Sequence, residues 1–227
     1  MKKLLVLLAI LSLGLMAFAD EKEDDIDRLD AAAKVLNQIM TTPDKGIPNE
    51  VLEGAKCVAV VPHLIKGGFV FGAKHGRGVA TCRTSDGNWS APSFFTVTGG
   101  SWGAQIGVEG VDLVMMVMND KGMQQLLNSK FQIGGDASAA AGPVGRHASA
   151  GTDWKLNTEI LTYSRAKGIF AGISLEGAAV TQDNNAIQAL YGKELTPRAI
   201  LTGTVPPPAA AEQFLATVRD AKNLAAK

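Results

Sequence analysis

Apolar residues near the start of the chain recur at the spacing of one helix face. Ile26, Leu29, Ala33, Leu36 and Met40 stand three or four positions apart, which predicts an amphipathic helix over about 26–40. The residues just before this stripe are mostly acidic. A membrane-surface helix carries Lys and Arg on its polar face, so we expect this helix to pack on its own domain.

From residue 57 the hydrophobic period becomes that of strands, after a short helix predicted over about 48–56. The predicted strands are 57–61, 68–73, 78–83, 93–98, 103–109 and 111–118. Glycine-containing turns at 74–77 and 85–88 separate neighbouring strands and favour antiparallel pairing. Glycines inside strands are typical of bulges, barrel-like bends or close backbone approach.

The second half of the chain mixes both periods. A helix is predicted over about 119–129, strands over 159–164 and 168–181, and a final helix over 209–226. The small residues at 134–146 fit either a flexible loop or a tightly packed strand. Asp183 is a predicted N-cap for a helix that ends at Gly192, and Thr196 begins another short helix.

These elements predict an α+β fold. The chain has 227 residues, 46% of them hydrophobic, enough for one sizeable core. We expect a single domain over 20–227 with a glycine-rich, mostly antiparallel, barrel-like or sandwich sheet flanked by N-terminal and C-terminal helices. Its parts would be a helical segment at about 26–56, a sheet-rich core at about 57–181 and C-terminal helices at about 183–226.

The first nineteen residues resemble a secretory signal peptide. Lys2 and Lys3 precede an apolar run, and Ala17-Phe18-Ala19 matches an A-x-A cleavage site. We expect cleavage near Ala19 and a periplasmic or secreted product.

Charge argues against a nucleic-acid partner. Cleavage would leave 20 basic residues against the 22 acidic ones, a formal charge of −2. Nucleic-acid binders usually carry a basic excess on one face, so we expect no nucleic acid.

Cys57 and Cys82 are the two cysteines of the chain. In an oxidising compartment they would form either one disulfide or two small buried side chains in neighbouring strands. The sequence does not decide between them, and two cysteines without a paired CxxC make a zinc site improbable.

Catalytic patterns are weak. Ser101 lies in a G-x-S-x-G sequence, and His147 follows downstream, but the residues after Ser101 alternate like a strand, whereas a nucleophile elbow needs a helix there. The three histidines fall in separate predicted turns without metal-ligand spacing. We expect a protein that is not an enzyme, with no metal and no cofactor, and keep a serine hydrolase using Ser101 and His147 as a less favoured alternative.

A set of cations at predicted turns remains as the candidate binding chemistry. Arg offers a forked donor and Lys a point charge to a lipid phosphate, although each such residue could equally be a solvated loop charge. The set comprises Lys66, Lys74, Arg77, Arg146, Arg165 and Lys167.

Several glycine-rich segments together resemble the SYLF domain, a family of lipid-binding modules that in fungi also bind actin. The resemblance extends from about Leu36 to Leu215. Its most specific segments are 67–72, 86–92, 103–110 and 168–177.

The resemblance implies a non-enzymatic module that binds phospholipid or a membrane surface, with an envelope protein partner or scaffold role as the alternative. Eukaryotic members associate with phosphoinositide membranes, in some cases through an amphipathic N-terminal segment. The corresponding segment here is acidic from Glu21 to Asp30. In an exported bacterial chain we expect a different anionic lipid.

Overall fold

One sheet organises the molecule. The computed structural model describes residues 2–42, 46–68, 71–102, 107–144, 158–166, 169–170 and 173–225. Its helices are α1 (Lys2–Met40), α2 (Asn49–Gly54), α3 (Asp120–Leu126), α4 (Asn184–Tyr191), α5 (Pro197–Leu201) and α6 (Glu212–Ala225), the last preceded by a 3-10 turn at Ala209–Ala211. Its strands are β1 (Cys57–Gly68), β2 (Phe71–Cys82), β3 (Ser93–Trp102), β4 (Gly107–Val117), β5 (Lys130–Gln132), β6 (Ala139–Ala141), β7 (Ile160–Ala166), β8 (Ile169–Phe170) and β9 (Ala179–Gln182).

Within the described residues these strands form a single curled sheet in the order β5-β9-β3-β2-β1-β4-β7-β6, with β8 paired to β7. All pairings are antiparallel except that of β6 with β7. The predicted α+β, mostly antiparallel single domain is confirmed. Of the two architectures left open, the sheet has the barrel-like form, as a half-barrel.

The turn predicted at 74–77 is wrong. Those residues lie inside β2, which joins residues 71–73 to the predicted strand that follows in one strand paired to β1 and β3. Its glycines permit close packing instead of reversing the chain. A Cβ on Gly76 would lie 2.6 Å from Val61 Cγ1, and one on Gly78 would lie 2.6 Å from Phe95 Cζ.

The sheet has two covered faces, because successive side chains of a strand point to opposite sides. The face that carries Val58, Val60 and Val79 packs against α1, α2, α4 and α6, and we call it the helix face. The face that carries Ala59, Val61 and Leu113 packs on Phe131, Leu175 and other residues of the segments between β4 and β9, and we call it the loop face.

The helix α1 fills much of the helix face. Leu29, Leu36 and Met40 are at most 3% exposed. The prediction that this apolar stripe packs on its own domain is therefore confirmed.

The helices α4 and α5 have the caps that the sequence predicted, while the final helix, predicted over 209–226, begins as a 3-10 turn and becomes α-helical at Glu212. The Asp183 carboxylate accepts a hydrogen bond from Ala186 N at the start of α4, and Gly192 ends it in the left-handed conformation, with φ 69°. The Thr196 hydroxyl caps α5 in the same way.

One strand predicted over 168–181 is wrong. The described part contains β8, a loop over 173–178 and then β9. Gly177 has φ 75° and Ala178 N donates to Leu175 O, so a tight turn interrupts the apolar run. The described part of 134–146 likewise holds both a turn, with Gly134 at φ 90°, and the strand β6.

A disulfide joins Cys57 to Cys82, which face each other at the start of β1 and the end of β2. Of the two arrangements that the sequence left open, the structure has the bridge. It closes a loop of 25 residues, for which chain entropy alone gives about 3 to 4 kcal/mol of stabilisation.

Candidate functional site

The four predicted cations that the structure describes lie in strands and not at turns. Lys66 is in β1, Lys74 and Arg77 are in β2, and Arg165 is in β7. Arg146 and Lys167 lie outside the described residues. The sequence misplaced the four because the glycines beside them suggested turns, whereas the strands continue through those glycines.

Arg77 belongs to a partly buried cluster of four charges on the helix face, in which Asp25 and Arg28 are buried and Arg77 is 39% exposed. Its guanidinium lies 3.4 Å from Asp25 Oδ1 and 3.2 Å from Asp183 Oδ2. Arg28 contacts the same two carboxylates, at 2.7 Å and 3.3 Å, and its guanidinium stacks over the Phe94 ring. We call these residues the charge cluster; it ties α1 to β2 and to the cap of α4.

Asp25 is the least accessible member of the charge cluster. It is 0% exposed, and its Oδ2 atom has no hydrogen-bond partner among the described residues. Burial raises the pKa of its carboxyl to about 6, despite the opposing attraction of Arg28 and Arg77. The nearby carboxylates of Asp183 and Glu21 raise it further.

Arg165 also has internal partners. Its guanidinium lies 3.7 Å from Asp112 Oδ2 and donates to the side chain of Gln38 on α1. Arg77 and Arg165 therefore have carboxylate partners in the fold, as Lys66 also does through Glu109. Lys74 is the one of the four described candidates that has no described carboxylate partner.

Lys66 and Lys74 face each other across the β1–β2 ladder near its tip. Around them, four strands carry small residues at or near their ends. Gly68 pairs with both Gly72 and Gly107, while Ala73 pairs with Gly100. We call residues 66–68, 72–74, 99–101 and 107–109 the glycine-rich end of the sheet.

Both lysine side chains are on the loop face, because Lys74 shares its side of β2 with Ala80 and Lys66 its side of β1 with Leu64. Lys74 is 5% exposed, and its Nζ donates to the Ser174 carbonyl oxygen at 2.6 Å. Burial lowers the pKa of Lys74, and the neighbouring charge of Lys66 lowers it further.

A single described carboxylate offsets this pair of lysines. Lys66 Nζ lies 3.7 Å from Glu109 Oε2, while no described carboxylate lies within ion-pairing distance of Lys74. The glycine-rich end thus has a local excess of positive charge, part of it desolvated. Such a site can accept a phosphate or carboxylate.

A cavity of about 400 Å³ opens beside this end, on the loop face. It lies between β6 and β7 on one side and the loop at 173–176 on the other. Ser174, whose carbonyl accepts the hydrogen bond from Lys74, is in its wall.

The catalytic alternative lacks its geometry. Ser101 lies within β3 and pairs with Gly72, and the next described element is the strand β4, whereas a nucleophile elbow is followed by a helix. His147 lies outside the described residues.

The part of the chain that the structure describes contains no cluster of His, Cys, Asp and Glu that could hold a metal ion. No helix within that same part is both long and apolar enough to cross a membrane.

The sequence analysis missed the charge cluster as a unit. Asp25 is one acid in a run of acids, and nothing in the pattern distinguishes it from its exposed neighbours. Its helical spacing from Leu29 and Leu36 was the available signal, because it places Asp25 on the apolar side of α1.

Comparison with known proteins identifies the family. Residues 98–221 match the family described as "Ysc84: Las17-binding protein actin regulator". The chain is similar to Protein YSC84 of Saccharomyces cerevisiae, with 36% identity over 81% of this chain and 41% of the yeast protein. It is similar to SH3 domain-containing YSC84-like protein 1 of Rattus norvegicus, with 35% identity over 81% of this chain and 55% of the rat protein.

The chain spans about half the length of these relatives. The matched family segment begins in β3 and ends within α6, so it covers much of the sheet and most of the C-terminal helices, while Lys66 and Lys74 precede it. Since the match includes more than half of the residues, the chain belongs to the Ysc84/SYLF family.

Proposed function

We propose that this protein is a non-enzymatic lipid-binding module of the bacterial envelope, and that it binds anionic phospholipid at the glycine-rich end of its sheet. The observation that carries the proposal is the cross-strand pair of Lys66 and Lys74. One neighbouring carboxylate, Glu109, offsets only one of the two positive charges, so the pair can also bind a phosphate.

The surroundings of the pair favour this role. A partly desolvated ammonium attracts an anion more strongly than an exposed one, because the local dielectric constant is lower. The flanking glycines have no side chains to obstruct the approach of a headgroup to the backbone. Arg77 and Arg165, which the sequence put forward with the lysines, contribute to the fold through their carboxylate partners.

The compartment is part of the proposal. Lys2 and Lys3, the apolar run after them and Ala17-Phe18-Ala19 support export and cleavage near Ala19. Outside the inner membrane the ligand would be an anionic lipid of the envelope.

Co-sedimentation with vesicles tests the lipid proposal. The protein should sediment with phosphatidylcholine vesicles that contain phosphatidylglycerol, and less so with phosphatidylcholine alone. Binding should weaken as salt rises, because the Debye length falls from about 8 Å at physiological ionic strength to about 3 Å at 1 M.

Lys66→Gln is the informative variant and Lys56→Gln its matched control. Lys56 immediately precedes β1, at the opposite end of the strand, and pairs with Asp120. We expect Lys66→Gln to reduce binding to the anionic vesicles and Lys56→Gln to leave it unchanged. Equal losses in both variants would point to nonspecific charge attraction, and binding indifferent to salt and lipid charge would contradict the proposal.

A protein-binding role is the second candidate. It is favoured by the name of one relative, LAS seventeen-binding protein 3 of Saccharomyces cerevisiae, which is 35% identical over 80% of this chain. For this chain the corresponding partner would be an envelope protein. Absence of vesicle binding together with co-purification of one envelope protein at fixed stoichiometry would support this candidate over the first.

A further inference from the structure

The cavity beside the glycine-rich end is large enough for a hydrocarbon chain. Its volume of about 400 Å³ falls within the range of roughly 300 to 1,000 Å³ that is common for ligand pockets. Its lining is mixed, with apolar side chains at Ile133, Ala139, Ala141, Ile173 and Leu175 and polar ones at Ser138, Thr162, Ser174 and Glu176.

The register of β6 shows which of its alanines face the cavity. Ala139 pairs with Ile160 and Ala141 with Thr162, whereas Ala140 pairs with Leu161. Ile160 packs in the loop-face core and Leu161 in the helix-face core. Because paired residues share a face, Ala139 and Ala141 lie on the loop face with the cavity, and Ala140 lies on the helix face.

The polar groups of the wall are placed at identifiable points. The Thr162 hydroxyl is already bonded to Ala140 O. Ser174 O holds the ammonium of Lys74 at 2.6 Å, and Lys66 is opposite Lys74 across the ladder. Glu176 supplies the carboxylate of the lining, and it is exposed to solvent. The two lysines therefore lie next to the cavity, behind Ser174, and not in its lining.

We propose that the cavity takes up a single acyl chain of an anionic lipid, with Lys74 and Lys66 holding the headgroup. The inference rests on the proposed lipid-binding function and deepens it, since it specifies an individual bound lipid in addition to contact with a membrane surface. The headgroup chemistry shared by the candidate ligands is a carboxylate or a phosphate monoester next to one saturated chain.

Single-chain probes below their micelle concentration separate this mode from membrane binding. The two anionic probes are tetradecanoyl lysophosphatidic acid and tetradecanoate, and the zwitterionic control is tetradecanoyl lysophosphatidylcholine. Each is titrated into the protein separately, and binding is measured by calorimetry and native mass spectrometry. We expect binding of one molecule of an anionic probe per chain and much weaker binding of the zwitterion. The tighter of the two anionic probes identifies the preferred headgroup.

Two alanine substitutions on the same strand test the cavity. Ala141→Phe should fill it and weaken binding of the anionic probe by at least about tenfold, equivalent to about 1.4 kcal/mol, while Ala140→Phe on the opposite face should bind as the wild type does. Both alanines are exposed at the sheet edge, and equal unfolding midpoints would verify that both variants fold. Lys74→Met should weaken binding of the anionic probe and leave that of the zwitterion unchanged.

The outcomes separate this inference from the function on which it rests. Charge-dependent vesicle binding without uptake of either anionic probe would overturn the cavity proposal and leave the lipid-binding function standing. Equal weakening by Ala141→Phe and Ala140→Phe, or none by either, would also overturn it. Failure to bind vesicles and single-chain probes alike would overturn both proposals.

Discussion

At the scale of single residues, the charge cluster is the most unusual feature of the helix face. Burying Asp25 and Arg28 has a desolvation penalty that the attraction among the four charges offsets only in part. Asp25 illustrates the imbalance, because its Oδ2 has no described partner and its pKa is raised to about 6. The cluster therefore specifies where α1 sits more than it adds net stability.

The raised pKa gives a prediction of defined sign. The folded protein binds the Asp25 proton more tightly than the unfolded chain, whose pKa is 3.8. The resulting contribution to the free energy of unfolding is complete below pH 4 and is lost as the pH rises to about 6. Asp25→Asn cannot titrate, so the stability of the wild type relative to this variant should fall by about 2 to 3 kcal/mol between pH 4 and pH 7.

Urea unfolding of both proteins at several pH values measures this difference. Asp27→Asn, an exposed change on the same helix, should show no comparable trend. If the free energy of unfolding of the wild type relative to Asp25→Asn instead rises with pH, the attraction of the arginines outweighs burial and the carboxyl is ionised throughout.

Glu159 acts in the opposite direction. Burial alone would raise its pKa, but hydrogen bonds from Ser138 and Lys121 outweigh burial and lower it to about 2. Its contribution to stability is present above pH 4.5 and is lost as the pH falls towards 2. Measurements of the Asp25 effect should therefore stay at pH 4 or above.

At the scale of elements, α1 is more deeply enclosed than an amphipathic surface helix. It contacts α6, α4 and three strands of the sheet, and Leu36 is 0% exposed. The same apolar stripe on a helix that engages a membrane would remain accessible to lipid.

Leu36→Ala tests which role the stripe has. Loss of a buried leucine side chain should lower the free energy of unfolding by about 2 to 5 kcal/mol, with or without vesicles. Asn37→Ala, at the adjacent exposed position, should change it little. Unaltered stability together with lost vesicle binding would instead make this face of α1 the membrane contact.

The sequence located most elements because their signals are local. The period of three and four residues predicted the 26–40 part of α1, and the caps at Asp183 and Gly192 predicted α4. The extent of β2 could not be predicted, because Gly76 and Gly78 are required by side chains distant in sequence, Val61 and Phe95. For the same reason Lys66 and Lys74 were found only as members of a larger set. Strand register, which is nonlocal, distinguishes them from Arg77 and Arg165.

At the scale of the whole molecule, the curled single sheet of the Ysc84/SYLF domain has helices on one face and a cavity on the other. Alternation in the strands predicted a sheet with a glycine-rich, barrel-like or sandwich form. It did not predict the strand order, since β9 pairs with β3 and β5 across long intervening segments. The cavity results from that strand order, so no local sequence pattern predicts it.

Export is a prediction for the whole chain. Expressed in a bacterium, the protein should appear in the periplasmic fraction or the medium with Asp20 as its first residue, as read from intact mass. Ala19→Arg should block cleavage by removing the small residue at the A-x-A site, so the uncleaved precursor should accumulate. A full-length wild-type chain confined to the cytoplasm would contradict the proposal.

The contact between α1 and α6 also sets the order in which the protein can acquire its fold. During synthesis α1 emerges first, but its helical partner begins about 170 residues later. At roughly 5 to 20 residues per second that interval lasts about 10 to 35 s. Throughout it, Leu29, Leu36 and Met40 have no completed surface on which to pack. The nascent protein therefore presents an apolar, acid-flanked helix to ribosome-associated chaperones before the last helix arrives to cover it.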